Sequence, residues 1–287
     1  MVKRIVVGII AAIIAIGIIV LRNTPVLPVA LAFLSCVATY EIEKCIQLKN
    51  KAVMGVSLVF SALVPVYYTY APALAARGIT LPVTAILAIY VLALFVLMLT
   101  NYKNTKFEEI AAVLVASIFV PWAFSTLAML CMIDKQFPAH FDGYHGVFYI
   151  LFALFCALIS DTFAYFTGKF FGKHKLTEIS PKKTVEGAVG GVVGAVVSCV
   201  ILFAIYDNCF FTVHTVTYLE VVLMSLVLSV AGICGDLSAS VIKRNFGVKD
   251  FGNLFPGHGG VMDRCDSILF VSSALYALIV LTRTVLQ

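Results

Sequence analysis

Apolar residues fall along this chain in long, uniformly apolar runs separated by short polar segments. The runs are Ile5–Leu21, Pro25–Tyr40, Ala52–Pro72, Ile79–Leu99, Ile110–Ile133, Gly146–Phe166, Val185–Tyr206, Tyr218–Leu237 and Ser267–Leu286. A helix of roughly 17–25 apolar residues suffices to cross a bilayer, so each run predicts one spanning helix. Pro25–Tyr40 is short and Ala52–Pro72 contains Pro65, so the count is about nine. Barrel strands would be about ten residues long and alternate in polarity, which these runs do not. The predicted fold class is all-α, a polytopic transmembrane helical bundle. Lys3 and Arg4 precede the first run, as in a signal peptide. The stretch exceeds the usual apolar core of roughly 7–15 residues and no A-x-A-like cleavage site follows, so it is read as a span.

Composition agrees. The chain has 287 residues, 62% hydrophobic and 12% charged, with a mean hydropathy of +1.05, too apolar for a soluble domain of this length. With nine spans, all but four of the 20 lysines and arginines fall on one side, the exceptions being Arg22, Arg77, Lys135 and Arg283. The positive-inside rule then places the N-terminus, and the loops after the second, fourth, sixth and eighth spans, in the cytoplasm. The net charge of +5 favours anionic headgroups and anionic substrates at that face. No basic stripe with interleaved aromatics appears, so nucleic acid is not an expected partner. The eight cysteines are scattered without a C-x-x-C pair, which argues against a disulfide framework or zinc site.

The chain has two halves of different character. Residues 1–145 show apolar spans, short loops and hardly any polar residue at depth, and read as a membrane scaffold or dimerisation region. Residues 146–287 carry almost all the candidate chemistry. No segment is long enough for a soluble catalytic domain, so any chemistry must sit on the membrane helices and their loops.

Three clusters stand out. In the first, Asp161, Tyr165 and Gly168 are spaced i, i+4, i+7 and share a helical face; Asp161 reads as a local cap or as a ligand facing the bundle interior. The second is Ser180-Pro181-Lys182-Lys183-Thr184-Val185-Glu186-Gly187. Ser180 before Pro181 predicts a helix N-cap with proline at the first helical position. Lys182 and Lys183 would then oppose the helix dipole, a placement that makes sense if they answer to a phosphate at an anion-attracting helix start. Gly187, Gly190, Gly191 and Gly194 follow in two overlapping G-x-x-x-G spacings, which read as close helix packing.

The third cluster runs from Gly235-Asp236 to Asp266. It holds Ser240, Lys243, Arg244, Lys249 and Asp250, then Pro256-Gly257-His258-Gly259-Gly260, then Asp263-Arg264-Cys265-Asp266. Charge beside hydrocarbon is costly and marks a functional site by default. Glycines allow close backbone approach to a ligand, lysine and arginine suit phosphates, and carboxylates at helix ends suit a hard cation such as Mg²⁺. Together they suggest metal-assisted nucleotide chemistry. No P-loop, H-E-x-x-H or G-x-S-x-G pattern occurs.

The segment Ser240-x-x-Lys243-Arg244, Lys249-Asp250, Pro256-x-His258-Gly259-Gly260, Asp263-Arg264-x-Asp266 resembles the C-terminal signature of the phosphatidate cytidylyltransferases, or CDP-diglyceride synthases. Asp161-x-x-Ala164-Tyr165 and Ser180–Gly187 resemble further motifs of that family, in the same order. The likeness covers about residues 146–287. Ala239 stands where many members have Glu, and Cys265 where a larger apolar residue or Thr is usual.

The resemblance implies a reaction in which CTP and phosphatidic acid give CDP-diacylglycerol and pyrophosphate. It implies a homodimeric enzyme of phospholipid biosynthesis in the cell membrane, working at the cytoplasmic face with Mg²⁺, and with K⁺ as a candidate second ion. It marks Asp236 and Asp263 as metal ligands. Lys243, Arg244, Lys249, His258, Arg264 and Asp266 join them in the catalytic set. Asp161, Tyr165, Ser180, Lys182, Lys183, Thr184, Ser240, Gly259 and Gly260 are the expected substrate contacts. The nucleophile, a phosphate monoester with a second pKa of about 6, is largely ionised at cytoplasmic pH, so His258 is assigned to positioning or phosphate contact rather than proton abstraction. A related nucleotide-dependent transferase or kinase acting on another lipid phosphate or polyprenol is the alternative. A transporter is disfavoured, because its charges would sit near the bilayer midplane rather than cluster at helix ends.

Overall fold

The computed structural model describes residues 2–255 and 259–285. Ten helices appear among them: α1 (Val2–Val20), α2 (Val26–Cys45), α3 (Lys51–Ala75), α4 (Val83–Thr100), α5 (Phe107–Cys131), α6 (Ile133–Gln136), α7 (His145–Phe171), α8 (Val185–Cys209), α9 (Tyr218–Asn245) and α10 (Met262–Val285). Among the described residues, α2–α5 and α7–α10 are long and apolar enough to cross a membrane. The first expected span corresponds to α1, of 19 residues. The chain is a multi-pass, all-helical membrane protein, as expected where every backbone polar group in hydrocarbon must be satisfied internally.

The chain divides into two compact units. One comprises Met1–Ala128 with Phe246–Arg264, the other Met129–Asn245 with Cys265–Gln287.

In the first unit, α2 packs on α3 through a polar stripe rather than through aliphatic side chains alone. Pro65 lies inside α3 and has no N–H, so the carbonyl of Ser61 loses its helical donor. The Ser35 hydroxyl of α2 donates to that carbonyl (3.0 Å), and Thr39 donates to the Ser61 hydroxyl (3.1 Å). The buried Glu43 of α2 accepts from Ser57 of α3. The reading of this half as almost free of polar residues at depth is therefore corrected. Ser35 supplies the outside donor that the proline-interrupted helix needs, and Thr39 and Glu43 extend the stripe through the hydroxyls of Ser61 and Ser57. Asn50 caps α3, its Oδ1 accepting from Ala52 and Val53.

In the second unit, α7, α8 and α9 surround an aromatic core containing Phe148, Tyr149, Phe152 and Phe203. The α7–α8 contact is a seam of small residues. A Cβ at Gly187 would come within 2.7 Å of the Ala164 carbonyl, and one at Gly191 within 2.8 Å of the Ser160 carbonyl. The G-x-x-x-G spacings thus act as close helix packing, which carries association where lipid is as apolar as the side chains. At the start of α7, Asp142 ties the α8–α9 connection down. Its carboxylate accepts from the Thr212 N–H (2.7 Å), the Thr212 hydroxyl (2.9 Å) and the Val213 N–H (3.2 Å).

Two of the differences between the helix limits and the sequence reading bear on the site. The helix expected to start at Ser180–Pro181 starts at Val185. Thr184 is its N-cap, accepting from the Gly187 N–H at 3.1 Å, and Ser180–Lys183 form a turn closed by the Lys183 N–H on the Ser180 carbonyl. The apolar run ending at Leu237 continues as helix to Asn245, with Lys243 and Arg244 in the last turn, where positive charge complements the helix dipole.

Candidate functional site

The second unit holds a cavity of about 310 Å³ to which three separate segments contribute. From α7 come Ser160, Asp161, Ala164 and Tyr165. The α7–α8 connection and the start of α8 supply Ser180, Lys182, Lys183 and Thr184, and α9 supplies Asp236. The structure thus brings together Asp161, Tyr165, Ser180, Lys182, Lys183, Thr184 and Asp236, which the sequence marks in three stretches up to about 75 residues apart.

The connection is shaped by its own backbone. Lys175 and Thr184 form an antiparallel bridge, the Leu176 N–H donates to the Lys183 carbonyl (2.9 Å) and the Val185 N–H to the His174 carbonyl (3.0 Å). Glu186, in the first turn of α8, accepts from the backbone N–H groups of Lys173 (3.1 Å) and His174 (3.2 Å) and pairs with the His174 ring at 2.6 Å. One acidic side chain at a helix N-terminus, where negative charge is favoured, therefore holds the far end of the connection. The close α7–α8 approach needs glycine here: a Cβ at Gly168 would meet the Thr184 hydroxyl at 2.8 Å.

Within the cavity the Lys183 ammonium is ion-paired with the Asp236 carboxylate, and both side chains are about a quarter exposed. Asp236 sits on the inner part of α9, nine residues before its end. Against α9 the first turns of α10 pack closely, since a Cβ at Gly235 would lie 2.7 Å from the Asp266 carbonyl. Asp266 is buried, interacts electrostatically with Asp236, Lys243 and Asp161, and accepts its neighbour's Ser267 N–H at 2.8 Å. Three carboxylates and two lysines therefore share one field. Ser240 and Arg244 lie further along α9.

The other expected residues belong to the first unit: Lys249, Gly259, Gly260, Asp263 and Arg264. There the Asp263 Oδ2 accepts from the Phe251 N–H (2.8 Å) and the Gly260 N–H (3.0 Å). Gly259 has φ +84°, and a Cβ on it would meet that same oxygen at 2.8 Å, so glycine is required on both counts. His258 lies outside the described residues.

Sequence reasoning missed Glu41. It is buried on α2 and accepts from the Val261 (3.0 Å) and Met262 (2.9 Å) N–H groups. Its one signal was an acid pair, Glu41 and Glu43, closing an apolar run.

Fold and site define a class: a polytopic membrane-helix protein with a cavity on its helices lined by carboxylates and lysines. Comparison with known proteins narrows it. The family model described as "Cytidylyltransferase family" matches residues 2–282. The phosphatidate cytidylyltransferase of Bacillus subtilis (strain 168) is 34% identical over 284 residues, 97% of each chain. Proteins of the same name from Staphylococcus epidermidis (strain ATCC 12228 / FDA PCI 1200) and Staphylococcus aureus (strain COL) are 44% and 42% identical over 138 and 136 residues. Those matches cover 48% and 47% of this chain and 51% and 50% of the relatives. This chain belongs to the cytidylyltransferase family.

Proposed function

We propose that this chain is a phosphatidate cytidylyltransferase, joining CTP to phosphatidic acid to give CDP-diacylglycerol and pyrophosphate, with the cavity of the second unit as part of its substrate site. The observation that carries the reading is the convergence of Asp161, Lys182, Lys183 and Asp236 in one cavity, in a chain of this family. Both substrates are anions, so bringing them together requires cations. Lys182 and Lys183 meet phosphate charge there, and the motifs assign Lys243, Arg244, Lys249 and Arg264 to the remainder.

A phosphatidate oxygen attacks the α-phosphorus of CTP, the bond to the β-phosphate oxygen breaks, and pyrophosphate leaves. The nucleophile is already ionised at neutral pH and pyrophosphate is a good leaving group, so neither a general base nor a general acid is required. Positioning and electrostatics carry the rate.

The acidic field of Asp161, Asp236 and Asp266 suits a hard cation. Among the described residues no three His, Cys, Asp or Glu side chains converge tightly enough to hold an ion unaided. Mg²⁺ takes few carboxylates and completes its shell with water and phosphate oxygens. Mg²⁺ supplies charge neutralisation on the triphosphate when bound. The assignment of Asp236 and Asp263 as its ligands, and of K⁺ as a second ion, rests on the motifs. So do a homodimer, and a site at the cytoplasmic face of the cell membrane, where soluble CTP meets a lipid headgroup.

Acceptor specificity is the test. Purified protein given labelled CTP should form a CDP-lipid with phosphatidic acid and none with diacylglycerol or a polyprenol. Activity on one of the latter instead would overturn the reading.

A further inference from the structure

Glu41 lies on α2, four residues before its end, in the half of the chain that the motifs do not reach. Its side chain is 5% exposed. A buried carboxylate is tolerated only when its oxygens are satisfied, and both of these are: Oε1 by the Val261 N–H, Oε2 by the Met262 N–H. Met262 is the first residue of α10. Its amide is one of the helix-start donors with no partner inside the helix, and that end prefers negative charge. Glu41 therefore caps α10 from a helix some 220 residues away in sequence.

The fit around it is tight. A Cβ on Gly252 or on Gly260 would run into the Glu41 carboxyl group. Those two glycines adjoin the amides that hold Asp263, since Phe251 and Gly260 donate to its Oδ2. The Glu41 carboxylate thus packs on the two backbone segments that orient the Asp263 carboxylate.

We propose that Glu41 is a positioning residue for the reaction. It fixes the start of α10 and the Gly252 and Gly260 segments, and through them the carboxylate of Asp263. This rests on the assignment of Asp263 to the site made above. Groups that orient a metal-binding or reacting carboxylate from outside typically account for about 10–100-fold in activity, and that loss in kcat is expected for Glu41→Ala, with KM for CTP little changed. Glu41→Gln keeps the volume and one acceptor, so it should fold and fall between.

Three measurements on the full-length protein in detergent or nanodiscs test the proposal. In metal-free, nucleotide-free protein, Glu41→Ala should speed backbone hydrogen exchange in peptides covering 259–264 while leaving the α7–α8 peptides unchanged. In steady state, it should raise the Mg²⁺ concentration needed for half-maximal rate. Gly252→Ala should impair the wild type but add little in the Glu41→Ala background, where the methyl group has room. Glu41→Ala with wild-type kcat and wild-type exchange overturns the proposal. Asp263→Asn separates the causes. If that variant is inactive while Glu41→Ala is fully active, only the Glu41 role fails. If it is active, the Asp263 assignment fails and the Glu41 proposal with it.

Discussion

Replacing Lys183 by methionine removes an ammonium and keeps most of the apolar stem. The structure fixes what is lost. Lys183 is ion-paired with Asp236 inside the 310 Å³ cavity, and the two side chains are 26% and 28% exposed. Such a pair lies between exposed pairs, worth about 0–1 kcal/mol, and fully buried ones, where loss of one partner costs about 3–5 kcal/mol. A hydrogen bond to a charged group, the contact Lys183 would make to a phosphate, nets about 1.5–3 kcal/mol. At about 1.36 kcal/mol per factor of ten, Lys183→Met should lower kcat/KM roughly 10–150-fold. Lys183→Arg keeps the charge and should recover part of the loss. In thermal unfolding, Asp236→Asn combined with Lys183→Met should cost less than the two single losses together, because contacting residues are not additive. The assay is initial-rate CDP-lipid formation in mixed micelles, with CTP and phosphatidic acid varied separately and folding checked by thermal unfolding. A folded Lys183→Met protein within about threefold of wild type in both kcat/KM values, a difference under ~0.7 kcal/mol, would refute the role of this pair.

Other consequences are as direct. Asp236→Asn and Asp263→Asn should each abolish turnover in protein that remains folded, and chelation should silence the wild type until Mg²⁺ is restored; near-normal activity of either variant with Mg²⁺ removes that residue from the metal assignment. Gly191→Ala places a methyl group 2.8 Å from the Ser160 carbonyl and 3.0 Å from the Ala164 Cβ, and overpacking of this kind costs about 1–3 kcal/mol; an unchanged melting temperature would contradict the close α7–α8 contact. Burial would raise the pKa of Asp142, but hydrogen bonds from Thr212, His145 and Tyr144 outweigh it and hold the carboxyl well below its ordinary 3.8. A depressed folded value means that the stabilisation is present above the unfolded pKa and is lost as pH falls below it. Asp142→Asn should therefore lower the melting temperature at neutral pH and flatten its decline below about pH 4, where equal acid sensitivity of the two proteins would count against the bonding shown.

Most of the cavity was legible because charge in a membrane chain is conspicuous. Asp161 and Asp236 interrupt apolar stretches, Lys182 and Lys183 lie in the charged connection just before one, and all four reach the same cavity. Helix limits were less legible. Ser180-Pro181 satisfies the rules for a helix start, yet the bridge between Lys175 and Thr184 and the Thr184 cap place the start four residues later. At Asp236 hydropathy falls while the helix continues, because hydropathy reports contact with lipid and a helix needs only its own hydrogen bonds. The role of Glu41 was not legible. An acid one turn from the end of a span reads as interfacial charge, and what distinguishes it, two amides of a distant helix start, exists only once the chain has folded.

The central claim is that the cytidylyl group, and not a phosphoryl group, moves to a lipid phosphate. Parallel reactions with α-labelled and γ-labelled CTP and phosphatidic acid test it in one step. Cytidylyl transfer puts α-label in the lipid fraction, in a product that carries cytidine, and releases γ-label to water as pyrophosphate in equal amount. Transfer of γ-label to the lipid, or no lipid labelling from α-labelled CTP by folded protein with Mg²⁺, would contradict it.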